Sequence, residues 1–154
     1  MKKEIEFIAR GVMTGGGKVL VCRNRKKGNC YLPGGHIEWN ESAPAALARE
    51  MREETGLNFR VGRFLGAVEH TFRAKGRRTC EINLVFEMRL PGRRVGGAVP
   101  STEPKLEFLW WPLNRLAEIS VQPSPLRRIL AGWMRRPVAA SWASTYAHGR
   151  RSKR

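Results

Sequence analysis

Apolar and polar positions alternate along the first part of the chain. Ile5 to Met13 and Lys18 to Arg23 are rich in β-branched and apolar residues, and Gly15-Gly16-Gly17 lies between them. That pattern predicts two strands joined by a turn. Tyr31-Leu32-Pro33-Gly34-Gly35 breaks into a loop. The spacing then changes to a helical period over 42–55, with Ser42 as N-cap and Gly56 placed to end the helix. Strands follow at 59–69 and 80–90, separated by a basic turn, Arg73 to Arg78. Pro91 to Pro104 reads as a Gly/Pro-rich loop, Leu106 to Trp111 as a short strand and Pro125 to Met134 as a closing helix. Strands mixed with helices predict an α/β sandwich.

The chain has 154 residues, the size of one domain with a single core. The domain is expected to occupy 1–137, with 138–154 as a basic tail, because residues 135–154 hold six Arg or Lys and no acid. Trp142 and Tyr146, spaced i, i+4, allow a short helix docked on the domain. No apolar run is long enough to span a bilayer, so no membrane role is expected. No apolar h-region follows the charged start, so a signal peptide is not expected. Three separated cysteines, Cys22, Cys30 and Cys80, form no C-x-x-C. They disfavour a disulfide framework or a zinc site and fit a reducing cytoplasm.

Charge adds one constraint. Lys plus Arg number 29 against 13 acids, a net charge of +16. Such a field draws anions in general, whether nucleotides, RNA or a membrane surface, without choosing among them.

The chemistry concentrates between Gly35 and Leu57. Glu50, Glu53 and Glu54 stand at i, i+3 and i+4 on the expected helix. Their carboxylates fall within a sector of about 100°. Glu50 and Glu54 repel as like charges one turn apart. Glu53 and Glu54 also occupy the last turn, where the helix dipole favours cations. A hard divalent cation reverses both penalties, because such ions take carboxylate oxygens. Arg49, one turn before Glu53, is placed to orient that carboxylate. Gly34-Gly35 lets loop backbone approach a ligand closely, and Glu41 sits at the loop–helix junction.

The order Gly35, five residues, Glu41, seven residues, Arg49-Glu50-Met51, one residue, Glu53-Glu54, one residue, Gly56-Leu57 resembles the Nudix box of the Nudix hydrolases at all nine defined positions. Leu32-Pro33-Gly34 before it and Trp111-Pro112-Leu113 near the end are also similar to that family. The resemblance implies a Nudix-type α/β/α sandwich with a mixed β-sheet and a loop–helix–loop catalytic motif. It implies a pyrophosphohydrolase acting on a nucleoside diphosphate linked to another group, such as a nucleoside triphosphate or a nucleotide sugar. It implies Mg²⁺ or Mn²⁺ held by Glu50, Glu53 and Glu54. It also implies a general base, here Glu53 or a late-loop glutamate, with Glu103 preferred over Glu107 as base or accessory ligand.

Weaker expectations concern binding. Arg23 and Arg25 end a strand, and arginine suits phosphate oxygens. His36 follows the double glycine. Glu69 and Phe72 close a strand that should reach the cleft, where Phe72 or Trp39 could stack on a base. Three readings remain open: a hydrolase of free nucleotides, an RNA 5′-end pyrophosphohydrolase engaged through the basic tail, and a nucleotide-binding regulatory module without chemistry. A homodimer is compatible with all three.

Overall fold

The computed structural model describes residues 4–135 and 141–144. In chain order the strands and helices are β1 (Ile5–Val12), β2 (Thr14–Gly15), β3 (Lys18–Asn24), β4 (Cys30–Tyr31), β5 (Gly34–His36), α1 (Ala43–Thr55), β6 (Arg60–Ala74), β7 (Arg77–Arg89), β8 (Leu106–Pro112), β9 (Val121–Gln122), α2 (Leu126–Arg135) and β10 (Ser141–Ser144). A 3₁₀ helix spans Leu113–Glu118.

One mixed sheet has the order β10-β6-β7-β1-β5. In it β1 runs parallel to β7 and antiparallel to β5, and β10 runs parallel to β6. The second sheet has the order β2-β3-β4-β9, with β8 also paired to β3. Val12, Leu65, Val68 and Val85 of the first sheet meet Val19, Val21 and Val121 of the second. Leu126, Leu130 and Trp133 of α2 close that cluster. A separate cluster packs Ala46, Leu47 and Met51 of α1 against Ala9, Leu20, Cys22 and Phe86. The two helices thus cover different sides of the sheets, the expected α/β/α arrangement.

Helix α1 carries the acidic motif, and its limits follow from local chemistry. The Ser42 side chain accepts from the Ala45 N–H at 3.3 Å, and Pro44 stands in the first turn. Such a cap contributes about 1 kcal/mol. At the other end Gly56 takes the left-handed conformation (φ 72°) and its N–H bonds the Arg52 carbonyl at 2.8 Å. Leu47 and Met51 are fully buried, each stabilising by roughly 1.5–3 kcal/mol. Their burial fixes the rotation of the helix and therefore the directions of Glu50, Glu53 and Glu54.

Two expectations change. The basic stretch Arg73 to Arg78 is mostly strand: β6 and β7 pair as far as Ala74–Arg77, and only Lys75-Gly76 turn. Both turn residues have positive φ (49° and 75°), the backbone of a two-residue hairpin loop. Near the C-terminus Trp142 lies on β10 rather than on a helix. The backbone of Ser141–Ser144 pairs with Gly66–Glu69 of β6. Tyr146 and the remainder of the expected tail lie outside the described residues.

Candidate active site

The loop from Gly34 to Asn40 delivers Gly34 and Gly35 onto β1 by antiparallel pairing with Arg10 and Ala9. Gly34 has φ 133°, and a Cβ there would stand 2.0 Å from the Ala9 carbonyl oxygen. A Cβ on Gly35 would stand 2.3 Å from the Glu50 carboxyl carbon. Gly35 is therefore the space into which the Glu50 side chain folds, while Gly34 lets β5 lie close against the β1 backbone.

Glu54 occupies the centre. Its Oε2 is buried and has no hydrogen-bond partner. Burial, then repulsion from Glu50, then repulsion from Glu103 push its carboxyl up to about 7. The late loop brings Glu103 into this field by docking on the end of α1. There the Thr102 N–H bonds the Glu54 carbonyl at 2.7 Å and the Thr102 hydroxyl bonds the Glu53 carbonyl at 2.5 Å. Two orphan carbonyls of the helix end are thus satisfied. Glu103 also pairs with Lys105 at 3.2 Å.

Arg49 anchors the other flank. Its Nε and Nη2 bond both oxygens of Glu41 at 2.8 and 3.0 Å. Nη1 reaches Glu50 at 3.1 Å and Glu53 at 3.3 Å, and Nη2 also bonds the His36 carbonyl at 3.0 Å. The expected Arg49–Glu53 contact exists, but Glu41 holds the arginine most tightly. Glu53 is 56 % exposed and looks outward.

The donor set suits a divalent cation. It offers a buried carboxylate oxygen with no partner, in a field of two further acids, with no lysine or arginine bonded to it. Among the described residues no three acidic, histidine or cysteine side chains already stand in a closed chelating arrangement. A cation held here would have to draw Glu50, Glu54 and Glu103 together and would offset the repulsion among them.

Other expected residues take different places. Arg23 and Arg25 converge on Glu107, with Arg23 Nε at 2.6 Å and Arg25 Nη1 at 3.4 Å. This occupies Glu107, the second late-loop candidate. His36 is exposed and its Nε2 lies 3.2 Å from Glu6. Trp39 is 99 % exposed. Phe72 stacks on His70 with ring centroids 5.0 Å apart. Both line a cavity of about 560 Å³ with Arg10, Tyr31, Glu81 and Gln122. Glu69 alternates to the other face of β6 and does not line it.

Arg10 escaped the sequence reading. Its guanidinium bonds the Asn83 side chain at 3.2 Å and the carbonyls of Leu32 and Gly34 at 3.1 and 3.2 Å. It also lies 5.1 Å from the Tyr31 ring centroid. Burial holds its pKa below the ordinary arginine value. Arg10 lines the cavity and bonds the carbonyl of Gly34, next to Gly35 against which Glu50 folds, so the cavity adjoins the acidic cluster. The available signal was a charge inside the otherwise apolar run Phe7 to Val12.

Residues 5–135 match the NUDIX domain. An ADP-ribose pyrophosphatase from Methanocaldococcus jannaschii is 28% identical over 126 residues, which cover 80% of this chain and 71% of that protein. An 8-oxo-(d)GTP phosphatase from Mycolicibacterium smegmatis is 25% identical over 137 residues, covering 89% of this chain but only 40% of that longer protein. Among solved structures, a MutT protein from Methanosarcina mazei Go1 superposes with a TM-score of 0.66 at 24% identity. That superposition covers 88% of this chain and 96% of the other.

Proposed function

The chain belongs to the Nudix hydrolase family, whose pyrophosphatase members hydrolyse phosphoanhydride bonds, and from that premise we propose that it cleaves a nucleoside diphosphate linked to a further group, using Mg²⁺ or Mn²⁺. The observation that carries this reading is the unpartnered buried oxygen of Glu54 beside Glu50 and Glu103. Glu50, Glu53 and Glu54 are the box carboxylates for the cation, and Glu103 joins them from the late loop. A divalent ion there would neutralise phosphate oxygens and make its bound water a stronger nucleophile. The protein's own part is positional. Arg49 fixes the Glu50 carboxylate, Gly35 leaves room for it, and Glu53 or Glu103 accepts the proton of the water that attacks phosphorus in line.

The adjoining cavity suits the nucleoside. His70 and Phe72 offer a stacking wall, while Arg10, Glu81 and Gln122 supply polar edges. The names of the two relatives point to nucleoside diphosphates whose linked groups differ, a ribose in one and a phosphate in the other. Three free cysteines accord with a reducing cytoplasm. Among the described residues no helix is long and apolar enough to cross a membrane.

The test is a panel of ADP-ribose, 8-oxo-dGTP and the ordinary nucleoside triphosphates, each with Mg²⁺ or Mn²⁺, followed by monophosphate detection. Metal-dependent release of a nucleoside monophosphate supports the reading. Tight nucleotide binding with no turnover on any substrate would replace it with a regulatory module.

A further inference from the structure

The β6–β7 ribbon projects beyond its sheet. Pairing of β7 with β1 begins at Cys80, and β10 pairs with β6 only over Gly66–Glu69. Residues 73–78 therefore have only one another as strand neighbours among the described residues. This tip holds Arg73, Lys75, Arg77 and Arg78 and no acid, and every residue from Phe72 to Arg78 is exposed. Among the described residues none of the four cations forms an ion pair.

Register makes this costly. Arg73 lies directly opposite Arg78. Like charges in a directly opposed pair destabilise a ribbon. The next pair, Ala74–Arg77, puts a further cation on the other face, together with Phe72–Thr79. That second face continues down β6 to His70 and the cavity wall. A bound polyanion relieves the repulsion. The narrow ribbon, charged on both faces and flanked by an exposed aromatic, fits a flexible strand with stackable bases better than a planar lipid surface.

We infer that the tip of the β6–β7 hairpin binds single-stranded nucleic acid, carrying the chain that continues from a 5′-terminal nucleotide seated in the cavity. The placement of that terminal nucleotide rests on the nucleotide-hydrolase reading of the site. The binding surface itself does not.

The test measures fluorescence anisotropy of a 12-nucleotide RNA with a 5′-hydroxyl, which binds without being a pyrophosphohydrolase substrate. The full-length protein is compared with the triple variant Arg73→Ser, Arg77→Ser, Arg78→Ser. A charge-matched control carries Arg60→Ser, Arg89→Ser and Arg93→Ser, three exposed positions at and beyond the opposite end of the ribbon. The hairpin variant should bind about tenfold more weakly, and its log–log salt slope should shrink by about 2, since each single-strand phosphate contributes about 0.7. The control should stay within about twofold of the wild type. The charge-conserving triple variant Arg73→Lys, Arg77→Lys, Arg78→Lys should bind like the wild type, which separates charge from folding. Equal losses in hairpin variant and control, unchanged binding in the hairpin variant, or no RNA binding by the wild type would each overturn the inference. Vesicles of phosphatidylserine and phosphatidylcholine form a second arm, and charge-dependent sedimentation with these but not with RNA would assign the tip to membranes instead. Loss of RNA binding in the hairpin variant of a protein that hydrolyses no nucleotide would sink the catalytic reading and leave the surface standing. Nucleotide hydrolysis with RNA binding equal in every variant would do the reverse.

Discussion

Arg49 grips Glu41 through two parallel hydrogen bonds, Nε to Oε1 at 2.8 Å and Nη2 to Oε2 at 3.0 Å. This fork ties the loop before α1 to the middle of the helix and leaves Nη1 for Glu50 and Glu53. Its effect on charge runs both ways: the guanidinium holds the Glu41 carboxyl below the usual carboxylate range, and Glu41 holds the Arg49 guanidinium above its ordinary value.

A lysine cannot reproduce that fork. Arg49→Lys should therefore leave a folded protein that has lost the orientation of Glu50. Metal affinity or turnover should fall about 10- to 100-fold, the usual effect of losing a partner that orients a ligand. Metal titration alongside separate kcat and KM measurements checks this. An unchanged metal affinity together with an unchanged kcat would show that Glu50 needs no such support.

Glu54→Gln should abolish most turnover while the metal-free protein becomes more stable above pH 7. The folded-state carboxyl is raised to about 7 from an ordinary 4.5. Between those values the folded state binds more protons than the unfolded one, so stability falls as pH rises through the window. A shift of that size corresponds to a penalty on the order of 3 kcal/mol, fully present above pH 7 and absent below about pH 4.5. Urea melts of both proteins with EDTA at pH 5 and pH 8 measure it. The difference between them should grow with pH, and adding Mg²⁺ should reverse it in the wild type alone. Equal stabilities at pH 8 would remove the argument from electrostatic strain.

Much of this is legible in the sequence. The i, i+3, i+4 acids, the Ser42 cap and the Gly56 stop are all local signals, and α1 has the expected limits. The strands alternate well enough to be placed, apart from the hairpin tip. There basic side chains hid two strand ends, because an exposed ribbon needs no apolar face. What the chain order does not carry is distance between segments. Arg10 and Asn83 are 73 residues apart, and only the β1–β7 pairing brings them together. Arg23 looked free to meet phosphate until β8 brought Glu107 opposite it. Glu69 and Phe72 were grouped by proximity in sequence, although strand alternation sends an odd and an even position to opposite faces.

The choice of base divides Glu53 from Glu103. Glu53 is the more exposed and shares Arg49 with Glu38, Glu41 and Glu50, whereas Glu103 raises the Glu54 carboxyl. If Glu53 accepts the proton, Glu53→Gln should lower kcat by 10²-fold or more with little change in KM, the range expected for a general base. Glu103→Gln should then weaken metal binding and cost less in kcat. The opposite ordering in a kcat–pH series moves the base to the late loop.

The adjacent glycines should respond differently to alanine. At Gly35 the new Cβ meets the carboxylate end of Glu50, which can be displaced. Gly35→Ala should fold and melt near the wild-type temperature while losing metal affinity. At Gly34 the new Cβ meets the Ala9 backbone carbonyl, and φ is 133°. Gly34→Ala should break the β1–β5 pairing and yield little folded protein. Circular dichroism melts and Mn²⁺ titration of both variants decide this, and a Gly34→Ala protein as stable as Gly35→Ala would refute the distinction.

Two truncations test where the domain ends. The proposed boundary after Pro137 leaves residues 138–154 as a tail that adds salt-sensitive affinity for polyanions. Ser141–Ser144 nonetheless pairs in register with Gly66–Glu69, and Gly66, Ala67 and Val68 are buried. A chain ending at Pro137 loses that strand and uncovers the backbone edge of β6. Unpaired edges cost hydrogen bonds and invite association with other chains. A net loss of 1–2 kcal/mol would lower Tm by roughly 4–8 °C in a domain of this size. A chain ending at Ser144 keeps the strand and removes Arg150, Arg151, Lys153 and Arg154. It should melt like the full chain and hydrolyse small nucleotides equally well, while its RNA affinity falls less steeply with salt. Differential scanning calorimetry and anisotropy at two salt concentrations separate the effects. If the chain ending at Pro137 is as stable and as soluble as the one ending at Ser144, β10 contributes nothing to the fold and the domain closes with α2.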